Sequence, residues 1–171
     1  MRSKEFFVTP SPMEALLKIL SENANLPPHQ IGTMMGIPEA EVIARIKDYE
    51  AKEIILGYRA IVNEEKLEEE CVRAVIEVKI TPEREGGFDR LAERIAKYRE
   101  VKSCYLMSGA YDLLVVVEGS NLKELAMFVS KKLATIQGVL STSTHFMLKP
   151  YKIDGVLMKR EVNEERLPVT P

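Results

Sequence analysis

The hydrophobic pattern of this chain changes period at Cys71, and no single regular architecture accommodates both halves. Before Cys71, apolar residues recur every three or four positions, as on one face of a helix. After it, Val72, Ala74, Ile76, Val78 and Ile80 alternate with Arg73, Glu77 and Lys79, the period of a half-buried strand. A helical block followed by strands interleaved with helices reads as an α+β chain of two domains in series. Length leaves this open, because 171 residues suit one large domain or two small ones. With hydrophobic residues at 46% and charged residues at 29%, both parts have enough apolar material for a packed core.

The first part predicts three helices. Ser11 as N-cap, Pro12 at the first helical position and Glu14 closing a capping box start a helix that ends near Asn23, with Leu16, Ile19 and Leu20 on its buried stripe. A short helix from Pro28 to Met35 stops at Gly36, where a left-handed residue is needed. The third spans Glu39 to Ala51; Val42, Ile43, Ile46 and Tyr49 mark its inner face, and Glu41, Arg45, Lys47 and Asp48 the other. Three short helices with a tight turn, Gly36-Ile37-Pro38, before the third make a helix-turn-helix. The β-formers from Ile54 to Val62 read as a wing and a connecting strand. The charged run Asn63 to Glu70 has the character of a hinge.

The second part predicts the order β-α-β-β-α-β of a ferredoxin-like split βαβ fold. Strand Val72 to Ile80 is followed by a helix carrying Phe88, Leu91, Ala92, Ile95 and Tyr98, then by strand Val101 to Met107. The turn Ser108-Gly109-Ala110 leads into a strand whose Leu-Leu-Val-Val-Val run suits burial on both faces. Asn121 and Glu124 form a capping box for a helix through Leu133. Gly138 separates it from a last strand, Val139 to Leu148. The tail beyond Gly155 has no period.

Several function classes are excluded by what catalysis, metals and membranes require. The longest apolar runs fall far short of the about 20 residues of a membrane span, and Met1 to Val8 lacks a signal-peptide core; the expected location is the cytoplasm. Cys71 and Cys104 belong to no Cys-x-x-Cys pair and read as two buried small residues, with neither zinc nor a disulfide framework. Two histidines, His29 and His145, give no nucleophile-base set, and Gly86-Gly87 lacks the spaced glycines and Lys of a phosphate loop. No enzyme activity, cofactor or metal is expected.

The net charge of −2 is unlike that of a small basic DNA-binding domain. A helix-turn-helix would nevertheless present the third helix to the major groove through Glu39, Ala40, Glu41, Ala44 and Arg45, with Arg45, Lys47, Lys52 and Arg59 as the nearby cations. Glu39 and Glu41 favour the helix through its dipole but repel phosphates. Two readings stay open here: a DNA-reading module, and a sensing or co-regulatory module of the same fold that does not read DNA.

With these elements in order, residues 11–155 resemble the Lrp/AsnC, or feast/famine, regulators. Pro12 to Leu20 is similar to the family's first helix, Gly36-Ile37-Pro38 to its Gly-Leu-Ser turn, and Gly57-Tyr58-Arg59-Ala60-Ile61-Val62-Asn63 to its Gly-Tyr linking strand. Ser108-Gly109-Ala110-Tyr111-Asp112 is similar to its Ser-Gly-x-x-Asp turn. Gly138-Val139-Leu140-Ser141-Thr142-Ser143-Thr144 matches Gly-Val-x-x-Thr-x-Thr, and Tyr151-Lys152 with Gly155 the family's exit. Departures are Pro38 in place of the usual Ser or Thr cap and an acidic third helix. A related branch that decarboxylates siroheme uses histidine-rich and Trp-containing motifs absent here. The resemblance implies a winged helix-turn-helix DNA-binding domain over 1–56, a linker strand and hinge over 57–70, a ferredoxin-like effector-binding and oligomerisation domain over 71–155, and a tail over 156–171. It implies a transcription regulator whose partners are double-stranded DNA, contacted by Glu39, Ala40, Ala44, Arg45, Lys47 and Arg59, and a small effector, an amino acid. The effector would sit at Ser108, Gly109, Ala110, Tyr111 and Asp112, with Thr142 and Thr144 lining the side-chain end. Homodimers built through the C-terminal sheets would assemble into tetramers or octamers.

Overall fold

The computed structural model describes residues 12–67, 71–82 and 87–158. The chain divides into two compact units, Met1–Ala60 and Ile61–Pro171, the break falling near the end of the β-forming run Ile54 to Val62, just ahead of the charged segment. In the first unit, α1 (Pro12–Glu22), α2 (Pro28–Met35) and α3 (Glu39–Ala51) close around Leu16, Leu20, Ile31, Val42 and Tyr49. Each such side chain contributes about 1.5–3 kcal/mol by leaving water. The expected cap at Ser11 lies outside the described residues.

The turn between α2 and α3 depends on two glycines. Gly36 closes α2 at φ 68° and ψ 31°, a left-handed conformation that costs a residue with a Cβ about 1–2 kcal/mol. Ile37 then donates its amide to the Gly32 carbonyl at 3.0 Å. This folds the turn so tightly onto α2 that a Cβ on Gly32 would stand 2.7 Å from the Ile37 carbonyl oxygen. Past α3, the amides of Ile54 and Ile55 both donate to Tyr49 at 2.9 and 3.2 Å. The wing and connecting strand expected over Ile54 to Val62 pair with no strand among the described residues. β-forming side chains do not make a strand without a ladder partner.

The second unit carries β1 (Val72–Ile80), α4 (Asp89–Ala96), β2 (Val101–Leu106), β3 (Leu113–Gly119), α5 (Leu122–Phe128) and β4 (Val139–Phe146). The strands form an antiparallel sheet in the order β2-β3-β1-β4, as a ferredoxin-like fold requires, with Cys104 and His145 on opposite edge strands. One face is covered by the helices: Ala74, Ile76, Val78, Ile80, Leu113, Val115 and Val117 pack there against Leu91, Ile95, Leu125, Phe128 and Leu133. The other face is open, carrying Arg73, Val75 and Glu77 opposite Glu118, Val116 and Leu114 of the neighbouring strand. Leu114 and Val116 are only half-buried, so the run expected to be covered on both faces is covered on one. Beyond α5 the chain is wound as a π-helix over Val129–Leu133, and a two-strand hairpin, β5 (Lys152–Ile153) with β6 (Val156–Leu157), follows β4.

Candidate functional site

In the first unit the outward side of α3 is set by where its core residues point. Val42 and Tyr49 are buried and Ile46 half-buried, so at 3.6 residues per turn Ala40, Ala44 and Lys47 face the other way. All three are exposed, as is Glu39. Ile43, expected on the inner face, is 37% exposed and flanks this outward stripe. Its i+3 spacing from Ala40 is the signal that would have placed it there. Arg45 forms an ion pair with Glu41 along the same helix, and Lys52 one with Asp48 at 2.7 Å. Two of the cations expected to meet phosphates are therefore engaged by α3 itself. Lys47 has no ion-pair partner among the described residues. Arg59 follows Tyr58, whose hydroxyl donates to Glu50 at 3.1 Å, which holds the start of that exposed segment to α3. Burial raises the Tyr58 hydroxyl pKa, and the bond to Glu50 adds to the rise.

The second unit builds the turn Ser108 to Asp112 at one end of the sheet. The Met107 amide donates to the Asp112 carbonyl at 2.8 Å, and the Asp112 amide to Val78 at 3.0 Å. Gly109 has φ 151° with nothing within 4 Å of where a Cβ would stand; its conformation demands glycine while the space over it stays open. The amides of Gly109 and Ala110 donate to no group among the described residues. Tyr111 is half-buried. Asp112, which the resemblance places at the effector site, has a structural duty: one carboxylate oxygen accepts the Ile80 amide at 2.8 Å.

Thr142 and Thr144 are not brought to this turn. Thr142 pairs with Val78 and Thr144 with Ile76, which puts both on the helix-covered side with β1 between them and β3. Thr142 is then about 10 Å from Leu113. Cys71 is exposed, contrary to the expectation of burial, while Cys104 is half-buried and its thiol pKa is pushed up by that burial. No group of three or more His, Cys, Asp or Glu that could hold a metal occurs among the described residues. Sequence reasoning missed an ion cluster on the open face: Arg73 pairs with Glu64 and with Glu118 at 3.1 Å, and Lys102 with Glu118 at 3.4 Å. Burial opposes the charge of Glu118, but Arg73 and Lys102 outweigh it and lower its pKa. Only the cross-strand register, Arg73 opposite Glu118, reveals this group.

Residues 73–157 match the Lrp/AsnC ligand binding domain. Over 157 residues the chain is 45% identical to the uncharacterized HTH-type transcriptional regulator YugG of Bacillus subtilis, an alignment spanning 91% of this chain and 95% of that one. The chain belongs to the Lrp/AsnC family. This Lrp/AsnC protein is also 28% identical over 141 residues to a proline dehydrogenase transcriptional activator of Rhizobium radiobacter, across 82% of this chain and 90% of that one. Its fold is shared with AsnC of E. coli at a TM-score of 0.63 and 18% identity, over 86% and 97% of the two chains. A Neisseria meningitidis transcriptional regulator in complex with L-Met shares it too, at a TM-score of 0.63 and 24% identity over 84% and 92%. The Lrp/AsnC relatives are transcription regulators, not enzymes. No described helix of this Lrp/AsnC protein is long and apolar enough to cross a membrane.

Proposed function

We propose that this chain is a cytoplasmic DNA-binding transcription regulator whose assembly or DNA affinity responds to a small effector, an amino acid. The observation that carries the reading is end-to-end likeness to an HTH-type regulator combined with a tight two-glycine turn that leaves the outer face of α3 exposed. Glu39, Ala40, Ala44, Arg45, Lys47 and Arg59 form the DNA-facing set, with Arg45 also neutralising Glu41. Homodimers pair through the open face of the sheet and assemble further into tetramers or octamers.

The effector site in this reading is the turn Ser108 to Asp112, completed by a neighbouring copy. Unbonded amides at Gly109 and Ala110 suit an α-carboxylate, and the remaining Asp112 oxygen suits an α-ammonium. The L-Met complex of the Neisseria regulator supports an amino acid as the class. Thr142 and Thr144 would have to come from another copy to line the side-chain end. A thermal-shift screen of the twenty amino acids tests the site: at least one raises the melting temperature in a concentration-dependent way, and Asp112→Asn abolishes the shift. A screen without a hit, or a hit that survives the substitution, overturns the assignment. The acid-rich start of α3, Glu39 and Glu41, favours one alternative, an effector-binding or co-regulatory module that has lost specific DNA binding.

A further inference from the structure

The outward face of α3 has a composition that restricts how it can read a base pair. Its acids are drawn aside: Glu41 pairs with Arg45 and Asp48 with Lys52, and Glu50 accepts from Tyr58. What remains exposed in the middle is Ala40, Ile43 and Ala44, followed by Lys47, with Glu39 at the helix start. The three apolar side chains can neither donate to guanine nor bond adenine in the bidentate manner of Arg, Asn or Gln. The one major-groove feature that apolar groups recognise is the C5 methyl of thymine. An isoleucine 37% exposed on a helix of this unit gains by burying surface against such a methyl.

We propose that α3 recognises its DNA chiefly through thymine methyl groups, contacted by Ala40, Ile43 and Ala44, with Lys47 supplying a phosphate contact that carries no sequence information. This rests on the DNA-binding reading above and adds the chemistry of readout. In dimers, each half-site then carries thymines one helical turn from those of the other.

The test begins by selecting preferred duplexes from a random library with the full-length chain. Affinity is then compared between a selected duplex and the same duplex with deoxyuridine replacing thymidine, which removes each methyl and keeps base pairing. The expected result is a thymine-containing half-site and a loss of about fourfold for each contacted methyl. Ile43→Ala shrinks the thymine-to-uracil ratio, while Lys47→Gln weakens both duplexes alike. Because the uracil comparison uses the unaltered protein, it stands even if a variant folds poorly. Selected duplexes that bind equally well with uracil overturn methyl readout and leave DNA binding intact. If no duplex is selected over random sequence, both the readout and the DNA-binding reading fall, and the exposed stripe belongs to a protein partner.

Discussion

At the scale of single residues, the informative positions are those whose partners lie far away in sequence. Asp112 is recognisable as a turn acid, but its bond to the Ile80 amide spans 32 positions and follows only from the β1-β3 register. That bond predicts a split between variants. Asp112→Ala orphans the Ile80 amide and lowers stability by about 1–2 kcal/mol, whereas Asp112→Asn keeps an acceptor there and costs less than about 0.5 kcal/mol; urea denaturation of both measures the difference. Glu100 was invisible as a special residue for the same reason. The residue is 6% exposed, and its carboxylate accepts from Lys132 at 2.6 Å. The bond from Lys132 lowers its pKa against the opposing effect of burial. A carboxyl held below its unfolded value of about 4.3 stabilises fully above that pH and loses the contribution as pH falls through the folded value. Stability should therefore decline as pH falls below the unfolded value, and Glu100→Gln should flatten part of that decline. An unchanged slope in chemical denaturation would contradict the assignment.

At the scale of elements, periodicity decides what can be read. The helices and the β-α-β-β-α-β order were legible because Leu16, Ile19 and Leu20 in α1 and Val42, Ile46 and Tyr49 in α3 recur with helical spacing while Val72 to Ile80 alternates. The wing was not, since Ile54 to Val62 has strand-forming residues but finds no ladder partner among the described residues. The π-helical Val129–Leu133 was read as ordinary helix because Leu125, Val129 and Leu133 keep regular spacing. The capping box at α5 was half right: Asn121 accepts the Glu124 amide at 2.9 Å, but Glu124 reaches back to the Ser120 amide, also at 2.9 Å, and not to Asn121. Of the two glycines in the helix-turn-helix, Gly36 was legible as a stop and Gly32 was not, since its need is the close approach of Ile37. Gly32→Ala should destabilise the first unit by about 1–3 kcal/mol despite alanine's better helix propensity. A variant as stable as the parent in thermal melts would show that the turn can relax.

At the scale of the whole molecule, two surfaces stand open among the described residues of their own units: one face of the sheet and the exposed side of α3. Leu114 and Val116 lie amid Glu77, Lys79 and Glu118 on the sheet, a mixed surface suited to a second copy. Val116→Glu should convert the assembly to monomers at micromolar concentration by light scattering, whereas a parent chain that is itself monomeric would contradict the dimer. The measurement that most directly tests the regulator reading is duplex DNA binding followed against salt. The full-length chain should bind, and its affinity should fall linearly on a log-log scale as phosphate contacts release counterions. Changing Glu39 and Glu41 together to Gln should strengthen this binding, because it removes two repelling charges and frees Arg45 from its ion pair. No binding to any duplex at low salt, by the parent or by the charge-neutralised variant, would contradict the account.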